Sequence, residues 1–411
     1  MKYYFVLGNN PTLSALEIAF YFQREKIDHQ IIGNSNEILL LETKKEIDAE
    51  KILDSLGGTI KIGKIIAEQK PNQTDAMLIL KFLIHNSRFL IPDSKINFGF
   101  SQYALSKSSF RLPANFGFEL KKLLKEKNIS SRFVISRDKN LSSVVVTKNL
   151  LGKGAEFCFI DDKDKVYIGE TLAVQKFAEY SARDYGRPGR DAVSGMLPPK
   201  LAKIMLTLSR ISVDESGRTQ ILDPFCGSGT ILQEAILLGY KNLIGSDISE
   251  RAIADTKKNL EFITKKLTNL PTYQLINLSA TDLISKIKPN SINAIITEPF
   301  LGPPLRGGES REKIQKILAE LSELYLKSFT EFKKILKPDG KIVIVFPAFK
   351  FKNEILYLPV LNQLKKEGFN PSFEIPAELK NLNLTPRHSI IYSRPDQKVM
   401  REIFIFTIDK N

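Results

Sequence analysis

The stretch Ile221-Leu222-Asp223-Pro224-Phe225-Cys226-Gly227-Ser228-Gly229-Thr230 decides the fold. Its apolar start reads as a short strand, and the apolar-periodic run that follows reads as a helix over 229–238. A strand that passes into a helix through closely spaced glycines is the ligand-binding edge of an open α/β sheet. Gly227 and Gly229 let the backbone come close to a ligand. Asp223 and the helix N-terminus at Thr230 frame the pocket, with Phe225 and Cys226 between them. A dinucleotide fingerprint needs a third glycine where Leu232 stands, and a phosphate-cradling loop needs a lysine that does not follow. The expected ligand is therefore a nucleoside without a phosphate chain.

Outward from this stretch, strands alternate with helices. Strands are expected at 219–223, 242–247, 273–279, 292–297 and 341–348, and helices at 229–238, 250–267, 310–336 and 357–367. Two further strands, 388–393 and 402–409, end the chain. The pattern predicts a doubly wound, Rossmann-like α/β sheet whose last pair is antiparallel. The second strand ends at Asp247-Ile248, where an acid accepts hydrogen bonds from ribose hydroxyls. Thr281-Asp282 follows the third, and Asp282 is placed to meet an adenine exocyclic amine. Any one of these acids could cap a helix. Three at successive strand ends favour S-adenosylmethionine as the ligand.

These residues resemble the class I S-adenosylmethionine-dependent methyltransferases. Within that class, the D-P-F-C-G-S-G-T string is similar to the branch that methylates exocyclic amines of nucleic acids. That branch carries D/N-P-P-Y/F after the fourth strand, where this chain has Thr297-Glu298-Pro299-Phe300-Leu301-Gly302. By its flanks, Glu298 takes the place of the acid, Pro299 and Phe300 those of the two prolines, and Leu301 that of the aromatic. Another register gives Phe300 the aromatic place. The resemblance implies that Glu298 and the Pro299 carbonyl accept the two N–H bonds of the target amine, and that Phe300 stacks on a flipped base. Glutamate is one methylene longer than aspartate, so the pocket must compensate. Pyrimidine-C5 methylation needs a thiolate near this loop. Cys226 lies in the glycine-rich loop and no other cysteine lies in this half, so that chemistry is rejected.

The first half reads as smaller α/β modules: a ferredoxin-like unit over 1–70, a second module over 71–165 and a linker over 166–190, before a catalytic domain over 191–411. In the first unit Thr12 is the expected cap of the opening helix, and in the second 142–146 is an expected strand. Residues 71–165 are similar to a THUMP domain, an RNA-binding module of tRNA-modifying enzymes. Tyr180-Ser181-Ala182-Arg183-Asp184-Tyr185-Gly186-Arg187-Pro188-Gly189-Arg190-Asp191 and Gly195-Met196-Leu197-Pro198-Pro199-Lys200-Leu201-Ala202 resemble the tRNA guanine-10 N2-methyltransferase family. The resemblance implies S-adenosylmethionine as cofactor, tRNA as partner, and one or two methyl groups placed on N2 of a guanosine. The basic cluster with Lys121, Lys122, Lys125, Arg132 and Arg137 is read as an RNA contact from its concentration in this module, with a merely solvated helix face as the alternative. Arg187 in the connector and Arg306 in the loop after Phe300 are expected RNA contacts as well.

The 411 residues carry a net charge of +14. The excess favours a polyanionic partner, although a lysine-rich proteome would produce it too. It divides as −1 over 1–70, +8 over 71–160, 0 over 161–190 and +7 over 191–411. The two cysteines, Cys158 and Cys226, supply no disulfide framework, and His29, His85 and His388 are too scattered for a metal cluster. No apolar run is long enough to span a bilayer, and 1–8 is too short an apolar stretch for a signal peptide. A cytoplasmic protein with no metal and no membrane partner is expected; an accessory subunit is neither implied nor excluded. Two other readings stay open: a DNA or other-RNA amino-methyltransferase acting on N6-adenine or N4-cytosine, and a tRNA-binding protein with a degenerate methyltransferase domain.

Overall fold

The computed structural model describes residues 1–71, 75–85, 95–106, 110–190, 196–214, 216–265, 267–305 and 307–409. The chain divides into two compact units. The first comprises Met1–Ile18, Ile27–Phe177 and Pro376–Leu382; the second comprises Ala19–Lys26, Ala178–Ile375 and Asn383–Asn411.

From the N-terminus the elements are β1 (Lys2–Leu7), α1 (Pro11–Arg24), β2 (His29–Asn34), β3 (Ile38–Thr43), α2 (Ala49–Ser55) and β4 (Thr59–Gln69). There follow α3 (Ala76–His85), β5 (Ile96–Ala104), α4 (Phe116–Glu126), β6 (Ser131–Val134), α5 (Ser143–Asn149), β7 (Gly154–Asp162) and β8 (Lys165–Val174). The first four strands stand in the order β4-β1-β3-β2, all antiparallel, as a β-α-β-β-α-β unit requires. β4 also pairs with β8, so the stretches read as two modules share one eight-stranded sheet, β2-β3-β1-β4-β8-β7-β5-β6. Residues 166–174 of the expected linker, about a third of it, thus belong to a central strand. Its run Val166-Tyr167-Ile168 is buried, directly after the charged turn 161–165.

Two local expectations are corrected. The stretch 142–146 is helical, because the Ser142 hydroxyl accepts the Val145 N–H and caps α5, which overrides the strand preference of three consecutive valines. Asn10, rather than Thr12, caps α1, through its Oδ1 and the Leu13 N–H at 3.0 Å.

The remaining elements are α6 (Phe177–Asp184), α7 (Pro199–Leu208), β9 (Gln220–Asp223), α8 (Thr230–Leu237), β10 (Asn242–Asp247), α9 (Glu250–Thr264) and β11 (Thr272–Asn277). They continue with β12 (Ile292–Thr297), α10 (Arg311–Ile335), β13 (Leu336–Phe351), β14 (Glu354–Tyr357), α11 (Leu361–Lys366), β15 (Phe369–Pro371), β16 (Ile390–Tyr392) and β17 (Val399–Ile408). The sheet order is β11-β10-β9-β12-β13-β17-β15, with β14 on β13 and β16 on β17. β9 to β13 run parallel, and β17 is antiparallel to β13. This is the doubly wound, Rossmann-like sheet expected, antiparallel last strand included. Aromatic rings of α10, β13 and β17 fill the core between helix and sheet: Phe329 packs edge-on against Phe346 and Phe406. The chain leaves β9 for β10 on one side and returns to β12 on the other. That reversal opens a crevice at the carboxyl ends of β9 and β12.

Candidate active site

A cavity of about 830 Å³ occupies this crevice, within the size range of small-molecule sites. β9 ends at Asp223 on the cavity wall, the loop after it supplies Phe225, Cys226, Gly227 and Ser228, and Thr230 opens α8 beside it. Gly227 adopts φ +52° and a side chain there would point into open space, so the backbone is bare toward the cavity. Gly229 adopts φ +80° for another reason: a Cβ would meet Thr256 Cγ2 at 2.8 Å, so it serves packing against α9 and does not line the cavity. α9 holds the loop from behind. Thr256 Oγ1 donates to the Gly227 carbonyl at 2.7 Å, and Asn259 Nδ2 donates to those of Ser228 and Gly189 at 2.8 Å.

Asp247 ends β10 at the cavity wall. Its Oδ2 accepts the Gly227 N–H at 3.0 Å and its Oδ1 the Ser249 N–H at 2.9 Å. Each oxygen keeps a further lone pair for a hydroxyl donor. Ile248 beside it is 77% exposed, an apolar shelf at the cavity edge. From the end of β11 the lining residues are Ser279 and Ala280. Thr281 is bonded to Ser279, and Asp282 is exposed and accepts from Ser285 Oγ. Neither lines the cavity, so the adenine contact expected of Asp282 does not follow from its position.

Asp223 is 2% exposed, and its Oδ1 accepts from Thr297 Oγ1 at 2.7 Å, across the switch point. Burial first, then the carboxylates of Asp247 and Glu298, push its pKa up to about 7, against the opposing bonds from Thr297 and the Phe225 amide. Burial likewise pushes the Cys226 thiol well above its ordinary value, which makes it a poor nucleophile.

Glu298, Pro299 and Phe300 line the opposite wall. Phe300 is 55% exposed, a free aromatic face. Glu298 is gripped by Arg401 of β17, whose Nε donates to Oε2 and whose Nη2 donates to Oε1 at 3.0 Å. Burial alone would depress the Arg401 pKa; Glu298 more than offsets it and leaves the guanidinium's pKa raised. The Tyr325 hydroxyl, on α10, lies 3.3 Å from the Phe300 and Val345 carbonyls and supports the loop from below. Sequence reading missed Arg401, Thr256 and Asn259. The only signal for the last two was polar residues three apart on the apolar face of α9.

The expected RNA contacts divide. Lys121, Lys122 and Lys125 are exposed on α4, Arg132 is exposed on β6 and Arg137 beyond it. Arg187 is corrected: at 3% exposure it is buried in the second unit, where Nη1 donates to Thr230 Oγ1 at 2.7 Å and Nη2 to the Met196 thioether. Burial lowers its pKa. Arg306 lies outside the described residues.

Residues 187–367 match the UPF0020 family, described as an RMKL-like methyltransferase domain. A tRNA (guanine(10)-N2)-dimethyltransferase of Methanothermobacter thermautotrophicus is 33% identical over 155 residues, 37% of this chain and 42% of the relative. A protein of the same name from Methanocaldococcus jannaschii is 29% identical over 188 residues, 44% of this chain and 48% of the relative. The matches thus span less than half the length of these curated relatives. The crystal structure of TrmN from Thermus thermophilus superposes with a TM-score of 0.54, covering 100% of both chains at 14% identity, which is a likeness of fold. Among the described residues, no helix is long and apolar enough to cross a membrane.

Proposed function

We propose that this chain, whose residues 187–367 carry a methyltransferase domain of the UPF0020 family, methylates the exocyclic N2 of a guanosine in tRNA with S-adenosylmethionine as donor. The observation that carries the reading is one cavity whose two walls are a bare glycine loop with Asp247 and a loop with Glu298, Pro299 and Phe300. The residues fit the donor. Asp247 has lone pairs left for ribose hydroxyls, Ile248 offers an apolar shelf for a base, and the Gly227 backbone leaves room beside them. Asp247, and Asp223 when ionised, also give the cavity carboxylates suited to a sulfonium cation. When bound, the donor supplies a methyl already activated on sulfur: the amine lone pair forms the N–C bond, the C–S electron pair returns to sulfur, and the amine proton leaves to water.

The chain's residues have the task of alignment. The lone pair of an aromatic amine is delocalised into its ring. Glu298 and the Pro299 carbonyl accept the amine's N–H bonds and favour a nitrogen whose lone pair faces the methyl. Phe300 presents its ring to a base taken out of the stack. The first unit grips tRNA through phosphate contacts from the α4 lysines, in the manner of a THUMP domain. The relatives' names support guanosine 10 as the target and two methyl groups as the end state. The test is incubation with unmodified tRNA and methyl-labelled donor, followed by nucleoside mass spectrometry. Label on N2-methylguanosine is expected; label on N6-methyladenosine, or none, overturns the reading. Glu298→Ala is expected to lower kcat by about 10²–10³-fold; full activity of that variant would remove Glu298 from its role.

A further inference from the structure

Glu298 and Arg401 are 103 residues apart in the chain. They meet because β17 lies beside β13 and β13 beside β12, and because the register sets Arg401 opposite Pro347. Both line the cavity, and both are largely buried: Arg401 is 8% exposed and the Glu298 side chain 14%. The chain departs from the expected D/N-P-P-Y/F pattern at this loop, with glutamate in the acid's place. A glutamate has one more rotatable bond than an aspartate, so its carboxylate ranges over more positions when unanchored. A guanidinium that bonds both oxygens removes that freedom, because its fork is planar and matches the carboxylate edge. The oxygens retain further lone pairs for another N–H donor. With Tyr325 under the Phe300 carbonyl, the loop is tied at two points.

We propose that Arg401 is a positioning residue for methyl transfer: it holds the longer Glu298 side chain in one geometry so that the carboxylate meets the target amine. The proposal rests on the methyl-transfer reading above. It differs from a plain structural salt bridge in requiring that Arg401 act on the reaction through Glu298 and through nothing else.

The test compares wild type, R401K, R401M, E298Q and E298Q/R401M on unmodified tRNA, with donor affinity followed by calorimetry. R401M is expected to lower kcat by about 10²-fold while KM for tRNA and donor affinity move less than about threefold. R401K should recover part of the loss, since an ammonium restores the charge without the fork. Adding R401M to E298Q should cost less than about threefold, because the side chain it positions is already disabled. In an R401A variant, added guanidinium ion should raise the rate above that seen with sodium at the same ionic strength. The proposal is overturned by R401M activity within about threefold of wild type, by an equal loss in the E298Q background, or by loss of donor affinity in both R401M and R401K. A wild type inactive on tRNA defeats the reaction itself; an active wild type with an equally active R401M defeats only the role of Arg401.

Discussion

At Asp223 burial and two neighbouring carboxylates act against the hydrogen bonds from Thr297 and the Phe225 amide. Its carboxyl has an ordinary value of 3.8 and is raised to about 7 in the folded protein. The native state therefore keeps a proton that the unfolded chain has released, and between about pH 4 and 7 it binds more protons than the unfolded state. This group's contribution to stability consequently falls as pH rises through that window. Asp223→Asn keeps an acceptor for Thr297 and removes the titration. The variant should gain on wild type by up to about 4 kcal/mol between pH 4 and pH 7.5 in urea unfolding; a difference that does not change with pH would contradict this. A sulfonium beside the carboxyl favours its ionised form, so donor binding at pH 7 should release protons and give a buffer-dependent heat. The sequence exposed Asp223, Asp247 and Glu298 as acids at strand ends, because strand-end position is a local property. It did not expose Arg401, since a partner 103 residues away depends on the register of β17.

Among the elements, α9 shows how a helix makes a binding loop rigid. Asn259 is fully buried and makes three bonds of 2.8 Å: two with the Gly189 backbone and one with the Ser228 carbonyl. One helical turn earlier, Thr256 holds Gly227. Asn259→Ala leaves an N–H and two carbonyls without this partner and should cost about 2–4 kcal/mol in denaturant unfolding. It should weaken donor binding as well, because the loop it pins forms one cavity wall. A variant as stable as wild type, with unchanged donor affinity, would show that the loop holds its own shape. Elements with a clear period, such as α10 and the parallel strands, were legible. α5 was not, because three consecutive valines favour a strand and the deciding feature is the Ser142 cap. β8 directly follows a charged turn that reads as the start of a connector, and its pairing with β4, Lys61 opposite Val174, has no local signal.

For the whole molecule, charge ceases to be a single total. The excess is concentrated over 71–160, at +8, where exposed lysines stand along α4. If these contact phosphates, K121E/K122E/K125E should weaken tRNA binding, flatten its log–log salt dependence by up to about 2–3, and leave donor affinity unchanged; an unaltered salt slope would move the RNA footprint elsewhere. The modular division of the first half was only partly legible, because one continuous sheet joins the segments read as separate. The doubly wound second unit was legible as a whole, since its alternation of strand and helix is written along the chain. If the group methylated is the exocyclic amine of a guanosine, two tRNA transcripts that differ only at the modified position, one with guanosine and one with inosine, which lacks that amine, should behave differently in methyl transfer. Transfer to the guanosine transcript alone, with both bound equally, is the predicted result; comparable transfer to the inosine transcript would contradict the account.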